Sequence, residues 1–180
     1  HLDGKAVVDE ATALKRIRAA VDARRDEHFL IMARTDIRAT ADGATGLRLA
    51  QDRAKALVDA GADAIFPEAM RTLEEFEAIR AAVDVPLLAN MTEFGKSELF
   101  STQQLADVGM NMVIWPVSML RIAMGATGRA LDTLINDGHL NHKLDEMQHR
   151  ADLYDLIDYE DYNHFDTSVF NFSLEKHFGA

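Results

Sequence analysis

The sequence contains no cysteine. That excludes disulfides, thiolate zinc sites and a cysteine nucleophile among these 180 residues, and it agrees with a reducing, cytoplasmic setting. Cations are scarce: 19 Lys and Arg face 30 Asp and Glu, a net charge of −11. A nucleic-acid or anionic-membrane surface needs a basic patch, so neither partner is expected. A small anionic substrate stays open, because a few arginines can reverse the field locally. Long apolar runs are missing, and none approaches the roughly 18 residues of a membrane span. The opening His1-Leu2-Asp3-Gly4-Lys5 has neither an initiator methionine nor the basic-then-apolar order of a signal peptide.

What is present is enough apolar residue, 48% of the chain, to build a core. Four short apolar runs stand out: FLIMA (29–33), AIFP (64–67), PLLAN (86–90) and MVIWP (112–116). Each is too short for a core helix and reads as a buried strand. Near-continuous apolarity is what a parallel strand covered on both faces shows. Helical spacing fills the intervals at 11–24, 47–60, 73–83 and 103–108, with Gly61 as a stop signal, then at 117–135 and 144–157. The stretch from Tyr159 mixes aromatics and acids with weak periodicity, so no element is expected there.

The runs start at 29, 64, 86 and 112, spacings of 35, 22 and 26 residues. Strand alternating with helix predicts an α/β fold with a parallel sheet. It is either an open doubly wound sheet or the C-terminal half of a (β/α)8 TIM-type barrel, whose whole form needs about 250 residues. No glycine-rich phosphate loop follows any run, which weakens the nucleotide-binding version of the open sheet. The expected division is a barrel half over 1–136, with four strands, and a partner-contacting helical extension over 137–180.

The strand ends are polar. The first ends Arg34-Thr35-Asp36, the second Pro67-Glu68-Ala69, the third Asn90-Met91-Thr92-Glu93; the fourth ends Trp115-Pro116, with Arg121 one turn into the next helix. In a parallel barrel all these ends share the face that holds the active site. Arg34 and Asp36 alone could be a structural ion pair, Glu68 a satisfied buried carboxylate and Asn90 a turn residue. Together they point to a barrel enzyme for a small anion. His139, His142 and His149 complete no metal-ligand set at helical spacing. The run 158–166, DYEDYNHFD, lacks the order of a calcium loop and reads as a solvated, partner-facing tail.

MARTD, FPEA and above all LANMTEFG resemble the isocitrate lyase and phosphoenolpyruvate mutase superfamily, and within it the methylisocitrate lyase branch. MQHR, ending at Arg150, is similar to the M-Q-x-R pattern of these lyases. The resemblance runs from His1 to about Tyr162. It implies that His1 is a substrate-binding residue of a K-[KR]-C-G-H-x-x-G-K loop whose catalytic cysteine, like the metal-binding aspartates, would lie upstream. On that basis this stretch alone would be inactive.

The implied reaction is cleavage of 2-methylisocitrate to pyruvate and succinate, a step of propionate catabolism, with Mg²⁺ as cofactor. Carried over by motif, Arg34 would bind the pyruvate-half carboxylate. Glu68 would stand near the metal's water shell and the substrate hydroxyl. Asn90 and Thr92, with the Met91 backbone, would hold the succinyl carboxylates, and Arg121 and Arg150 would neutralise the rest. The resemblance also implies a homo-tetramer with an exchanged C-terminal helix. The alternatives are another superfamily member (isocitrate lyase, dimethylmalate lyase, oxaloacetate decarboxylase or a phosphonopyruvate-type enzyme) or a non-catalytic α/β binding module.

Overall fold

A computed structural model describes residues 6–170. The chain divides into two compact units, His1–Ile122 and Ala123–Ala180. The division falls inside a long helix, ahead of the 136/137 boundary expected from sequence.

The first unit begins with α1, Glu10–Ala23. Its N-cap is Asp9, whose carboxylate accepts from the Thr12 N–H at 2.8 Å and so satisfies one of the otherwise orphaned amides of the first turn. There follow β1, Met32–Thr35, a 3₁₀ turn, Ile37–Thr40, and α2, Gly43–Asp59. Next come β2, Ala64–Pro67, α3, Leu73–Ala82, β3, Leu88–Asn90, α4, Thr102–Asp107, β4, Met112–Ile114, and the start of α5, Ser118–Asp137. Ser101 and Gln104 close α4 with a reciprocal capping box.

The strands are parallel and neighbours in chain order. Arg34 pairs with Phe66 in β1–β2, and Asn90 with Ile114 in β3–β4. A parallel bridge between Ile65 and Leu87 joins β2 to the segment entering β3. Consecutive helices lie against one another, α1 on α2, α2 on α3 and α3 on α4, while α2 also packs on β1 and β2. The strands thus form two parallel pairs, β1–β2 and β3–β4, linked by that one bridge.

The register explains the core. Ala33, Ile65, Leu87 and Ala89 point to the helical layer and join Ala50, Ala54, Leu57, Phe76, Ile79 and Leu105. Helix α2 can pack closely because its buried positions include the small residues Gly46, Ala50 and Ala54. Gly61 ends that helix at φ +103°, and a Cβ there would meet Val21 Cγ2 of α1 at 2.9 Å, so the stop signal is also a close-packing site.

β1 differs from expectation. It starts at Met32, so Phe29 and Leu30 precede it and are exposed. Burial then alternates, with Ala33 and Thr35 buried and Met32 and Arg34 not. The second face of β1 carries no helical layer: Arg34 on that face lines a cavity, and half-burial gives period-2 alternation.

In the second unit, a 3₁₀ segment, Asn141–Glu146, precedes α6, Arg150–Leu156, and α7, Tyr159–Phe170. The single helix expected over 144–157 is therefore interrupted before His149, the N-cap of α6. The 158–166 run, expected to lack structure, lies largely in α7. Tyr154 stacks on Tyr159 with centroids 4.4 Å apart, an aromatic contact between α6 and α7 that periodicity does not register. Among the described residues, no helix is long and apolar enough to cross a membrane.

Candidate active site

The ends of β1, β2 and β3 and the segments that follow them open onto a cavity of about 1360 Å³ within the first unit. Its charged lining is Arg34, Arg71, Lys96 and Arg121 against Asp36, Glu68 and Glu93. Four cations against three carboxylates reverse locally the sign of a chain that carries −11 overall. An anion entering this space meets the opposite of the global field.

At its centre is a connected polar network. Arg34 Nε donates to Asp36 Oδ2 at 2.9 Å and Nη2 to Asp36 Oδ1 at 3.0 Å. Nη2 also lies 3.2 Å from Glu68 Oε2. Asn90 Nδ2 donates to that same oxygen at 3.1 Å, and Thr92 Oγ1 donates to Asn90 Oδ1 at 2.7 Å. Three neighbouring strand tips are thus joined side chain to side chain. The Arg34 guanidinium lies 4.7 Å from the Phe66 ring centroid, a cation–π contact to its register partner. Hydrogen bonds to Asp36 raise the Arg34 pKa, burial opposes the shift, and the Glu68 and Asp36 charges add to it. Both N–H groups of Nη1 remain without a partner among the described residues.

A second cluster borders the same cavity. Ser118 Oγ donates to Glu93 Oε1. Arg121 Nη1 donates to Glu93 Oε2 at 3.0 Å and to the Glu93 carbonyl at 2.9 Å. The Arg121 guanidinium lies 5.5 Å from the Phe94 ring centroid. Ala69, Phe94 and Val117, one after each of β2, β3 and β4, all have positive φ, at 66°, 61° and 57°. Strain of this kind concentrates where a backbone is held for a purpose other than stability.

The Ser118 hydroxyl, the Glu93 backbone N–H and Arg121 together hold the Glu93 carboxyl below its ordinary value, against a smaller effect of burial. A carboxylate with a depressed folded-state pKa contributes stability above its unfolded pKa, about 4.3. That stability is lost as pH falls through the folded value. The expected result is that Glu93→Gln lowers the urea midpoint of the full-length protein at pH 6. The gap between variant and wild type closes as pH drops below about 4.3. A gap that stays constant with pH would show that the Glu93 charge contributes nothing.

The structure brings Arg34, Glu68, Asn90, Thr92 and Arg121 to one cavity. Met91 is a correction. Its N–H donates to the Ile114 carbonyl at 2.9 Å, its side chain is buried in the core, and its sulfur accepts from the Phe100 N–H at 3.3 Å. The β3–β4 ladder therefore uses the amide that was assigned to substrate. Arg150 opens α6 in the second unit and is exposed. His1 lies outside the described residues. Arg71, Lys96 and Thr40 also line the cavity. Their signal was a polar or cationic residue in a segment following a strand, which becomes specific only once the tips are known to converge.

No group of three His, Cys, Asp or Glu that could hold a metal ion occurs among the described residues. His139 and His142 come within 5.4 Å, ring centroid to ring centroid, without a third ligand. Glu68 Oε2 is occupied by Arg34 and Asn90, while Oε1 carries no hydrogen bond or ion pair among the described residues. A hard oxygen of this kind suits the water shell of Mg²⁺, which keeps several waters when bound.

The profile of the family described as phosphoenolpyruvate phosphomutase matches residues 2–135, well over half the chain. The chain belongs to the phosphoenolpyruvate phosphomutase family. Among curated relatives, "Probable 2-methylisocitrate lyase 2" of Corynebacterium glutamicum is 53% identical over 177 residues, covering 98% of this chain and 56% of the relative. The 2-methylisocitrate lyase of Shewanella oneidensis is 46% identical over 159 residues, covering 88% and 53%. The chain thus spans about half the length of the curated relatives it matches. Oxaloacetate acetylhydrolase bound to 3,3-difluorooxalacetate superposes with a TM-score of 0.80 at 29% identity, covering 97% of this chain and 58% of that one. For 2,3-dimethylmalate lyase, a PEP mutase/isocitrate lyase superfamily member, the values are 0.77, 29%, 93% and 57%.

Proposed function

We propose that the full-length protein is a lyase that cleaves 2-methylisocitrate to pyruvate and succinate, and that residues 6–122 supply the C-terminal half of its (β/α)8 barrel. The observation that carries the reading is the Arg34–Glu68–Asn90–Thr92 network, which spans three adjacent parallel strand tips with Arg34 Nη1 left open. The four-strand order, the single helical layer and identity to 2-methylisocitrate lyases over half their length support it.

Arg34 is placed to receive one substrate carboxylate through Nη1, because its Nε and Nη2 are held by Asp36 and Glu68 and the guanidinium stays charged. Glu68 Oε1 is placed to accept the substrate's tertiary hydroxyl hydrogen. Asn90 positions Glu68 and offers its second Nδ2–H to the succinyl half, Thr92 holds the Asn90 amide in place, and Arg121, Arg71 and Lys96 offset the remaining negative charge. As the hydroxyl proton leaves, the oxygen's electrons form the new carbonyl of pyruvate. The C–C bond breaks, its electron pair goes to the succinate carbon, and a general acid of the full-length protein delivers the proton that completes succinate. Mg²⁺, when bound, polarises the developing carbonyl; Glu68 is the residue here that fits its water shell.

Residues of α5, α6 and α7 from Ala123 onward include no buried side chain. Leu153, Leu156, Ile157, Phe165 and Phe170 are exposed. We take these helices as the contact surface of a homo-tetramer, which light scattering of the full-length protein showing a stable monomer would refute.

The activity test offers the full-length protein 2-methylisocitrate, isocitrate, 2,3-dimethylmalate and oxaloacetate in turn, with product release followed by mass spectrometry. The expected preference in kcat/KM is for 2-methylisocitrate. One methyl group is worth about 10- to 200-fold at most, so isocitrate is expected to be a slow substrate. A higher kcat/KM for any of the other three overturns the assignment.

A further inference from the structure

Behind the Arg34–Glu68 contact lies a second ion pair that does not line the cavity. Arg38, in the 3₁₀ turn after β1, is 1% exposed. Its Nη2 donates to Glu75 Oε1 at 2.6 Å and its Nε to Glu75 Oε2 at 3.1 Å, a bidentate pair across 37 residues of sequence. Its Nη1 donates to the Ala41 carbonyl at 3.0 Å. Glu75, in the first turn of α3, also accepts the Arg71 N–H through Oε2 at 2.9 Å. One carboxylate therefore ties the segment after β1 to the segment after β2. The Arg71 carbonyl accepts the Glu98 N–H at 3.3 Å and so extends the tie to the segment after β3.

The surroundings are shaped for this pair. At Gly46 a Cβ would stand 2.2 Å from the Ala41 carbonyl oxygen and 2.7 Å from Arg38 Nη1, so only glycine leaves room for the guanidinium against α2. A pair this well enclosed is a poor source of net stability, because desolvation offsets most of the Coulomb attraction. Its bidentate geometry does fix the separation of the groups it joins.

We propose that the Arg38–Glu75 pair is a positioning device for the active site, acting through Arg34. The two ion pairs run in parallel across the same two strand tips. Arg34 stands four residues before Arg38, and Glu68 seven before Glu75. The buried pair holds the segments after β1 and β2 at fixed separation. The cavity-facing pair then keeps its 3.2 Å contact, with Arg34 Nη1 turned to the ligand. This rests on the reading of Arg34 as the carboxylate clamp. Without the buried pair, the Arg34 fork is displaced from its carboxylate, and a misplacement of about 1 Å costs on the order of 100-fold.

The test uses the full-length protein carrying Arg38→Gln, Glu75→Gln or Arg38→Lys, each alone and combined with Arg34→Lys. Three quantities are measured: kcat/KM for 2-methylisocitrate, Kd for pyruvate by calorimetry, and Tm. Arg24→Gln is the control, since it breaks another ion pair, more exposed (2.8 Å to Asp63), among residues that do not line the cavity. Each Arg38 or Glu75 variant is expected to lower kcat/KM and to weaken pyruvate binding by about 10- to 100-fold. In the Arg34→Lys background the further loss should shrink to within about threefold, since coupled residues are non-additive. Arg24→Gln is expected to lower Tm and leave kcat/KM unchanged. An equal loss in both backgrounds overturns the proposal, as does a lowered Tm with wild-type kinetics. If the glutamine variants do not fold, Arg38→Lys decides alone on the same two criteria. If wild type cleaves no 2-methylisocitrate, the substrate reading fails, and pyruvate Kd still decides the positioning role. If pyruvate does not bind either, both readings fall.

Discussion

Replacing Arg34 by lysine in the full-length protein is expected to lower kcat/KM for 2-methylisocitrate by about 10- to 10⁴-fold while leaving Tm nearly unchanged. The magnitude follows from the bonds at stake. Nη1 offers a ligand two N–H groups, and charge-assisted hydrogen bonds are worth about 1.5–3 kcal/mol each. Each 1.36 kcal/mol is tenfold in rate, so losing one or two such bonds spans this range. Lysine keeps the charge but offers a single ammonium, which cannot chelate Asp36, touch Glu68 and meet a substrate carboxylate together. The competing reading is that Arg34 serves only as a structural partner of Asp36. That reading predicts a lower Tm and unchanged kinetics. The geometry disfavours it, since the Arg34 side chain is 47% exposed and exposed ion pairs contribute about 0–1 kcal/mol. Measuring both quantities on one Arg34→Lys sample separates the two, and a destabilised variant with wild-type kcat/KM removes Arg34 from the site.

The sequence was most informative where one local pattern repeats. Four apolar runs alternating with helical spacing are four instances of one unit, and parallel pairing in chain order follows from them. Polar residues at the run ends were legible for the same reason, and Arg34, Glu68, Asn90 and Thr92 do meet. Limits were less legible. Phe29 and Leu30 precede β1 and are exposed, because an apolar run does not record which residues the neighbouring strand can pair. α7 was invisible to periodicity because its exposed apolar residues, Tyr162, Phe165, Val169 and Phe170, form no buried stripe.

Contacts between distant residues were not legible at all. Nothing near Arg38 announces Glu75, and nothing near Arg121 announces that two of its bonds go to Glu93. The Met91 amide was assigned to substrate from a motif, yet whether a strand-end N–H is free depends on how far the adjacent strand extends. Here Ile114 is in place to accept it. Residue type at a strand tip is written locally, whereas occupancy of its hydrogen-bonding groups is set by the neighbouring strand or loop.

The second large effect is expected at Glu68. Glu68→Gln should lower kcat by about 10²- to 10⁴-fold, the usual worth of a positioned proton acceptor. Asn90 Nδ2 and Arg34 Nη2 both approach Oε2. A glutamine carbonyl oxygen can take that position and accept from both, so the strand-tip network survives with a neutral acceptor. Its amide nitrogen then falls where Oε1 stood, and a donor replaces the one carboxylate oxygen that carries no hydrogen bond or ion pair among the described residues. The substrate hydroxyl would meet an N–H that cannot take its proton. Stability should change by no more than about 1–2 kcal/mol, because one charge-assisted bond becomes a neutral one while no polar group is stranded. Glu68→Asp separates charge from reach. It keeps the carboxylate but is one methylene shorter, so kcat should fall less than in the glutamine variant if proton acceptance is the role. If Glu68 serves only to hold Asn90 and Arg34 in place, the order reverses, since aspartate breaks both contacts and glutamine keeps them. A Glu68→Gln enzyme within about threefold of wild-type kcat, under about 0.7 kcal/mol of barrier, would exclude Glu68 from proton transfer and leave it a structural partner of Asn90.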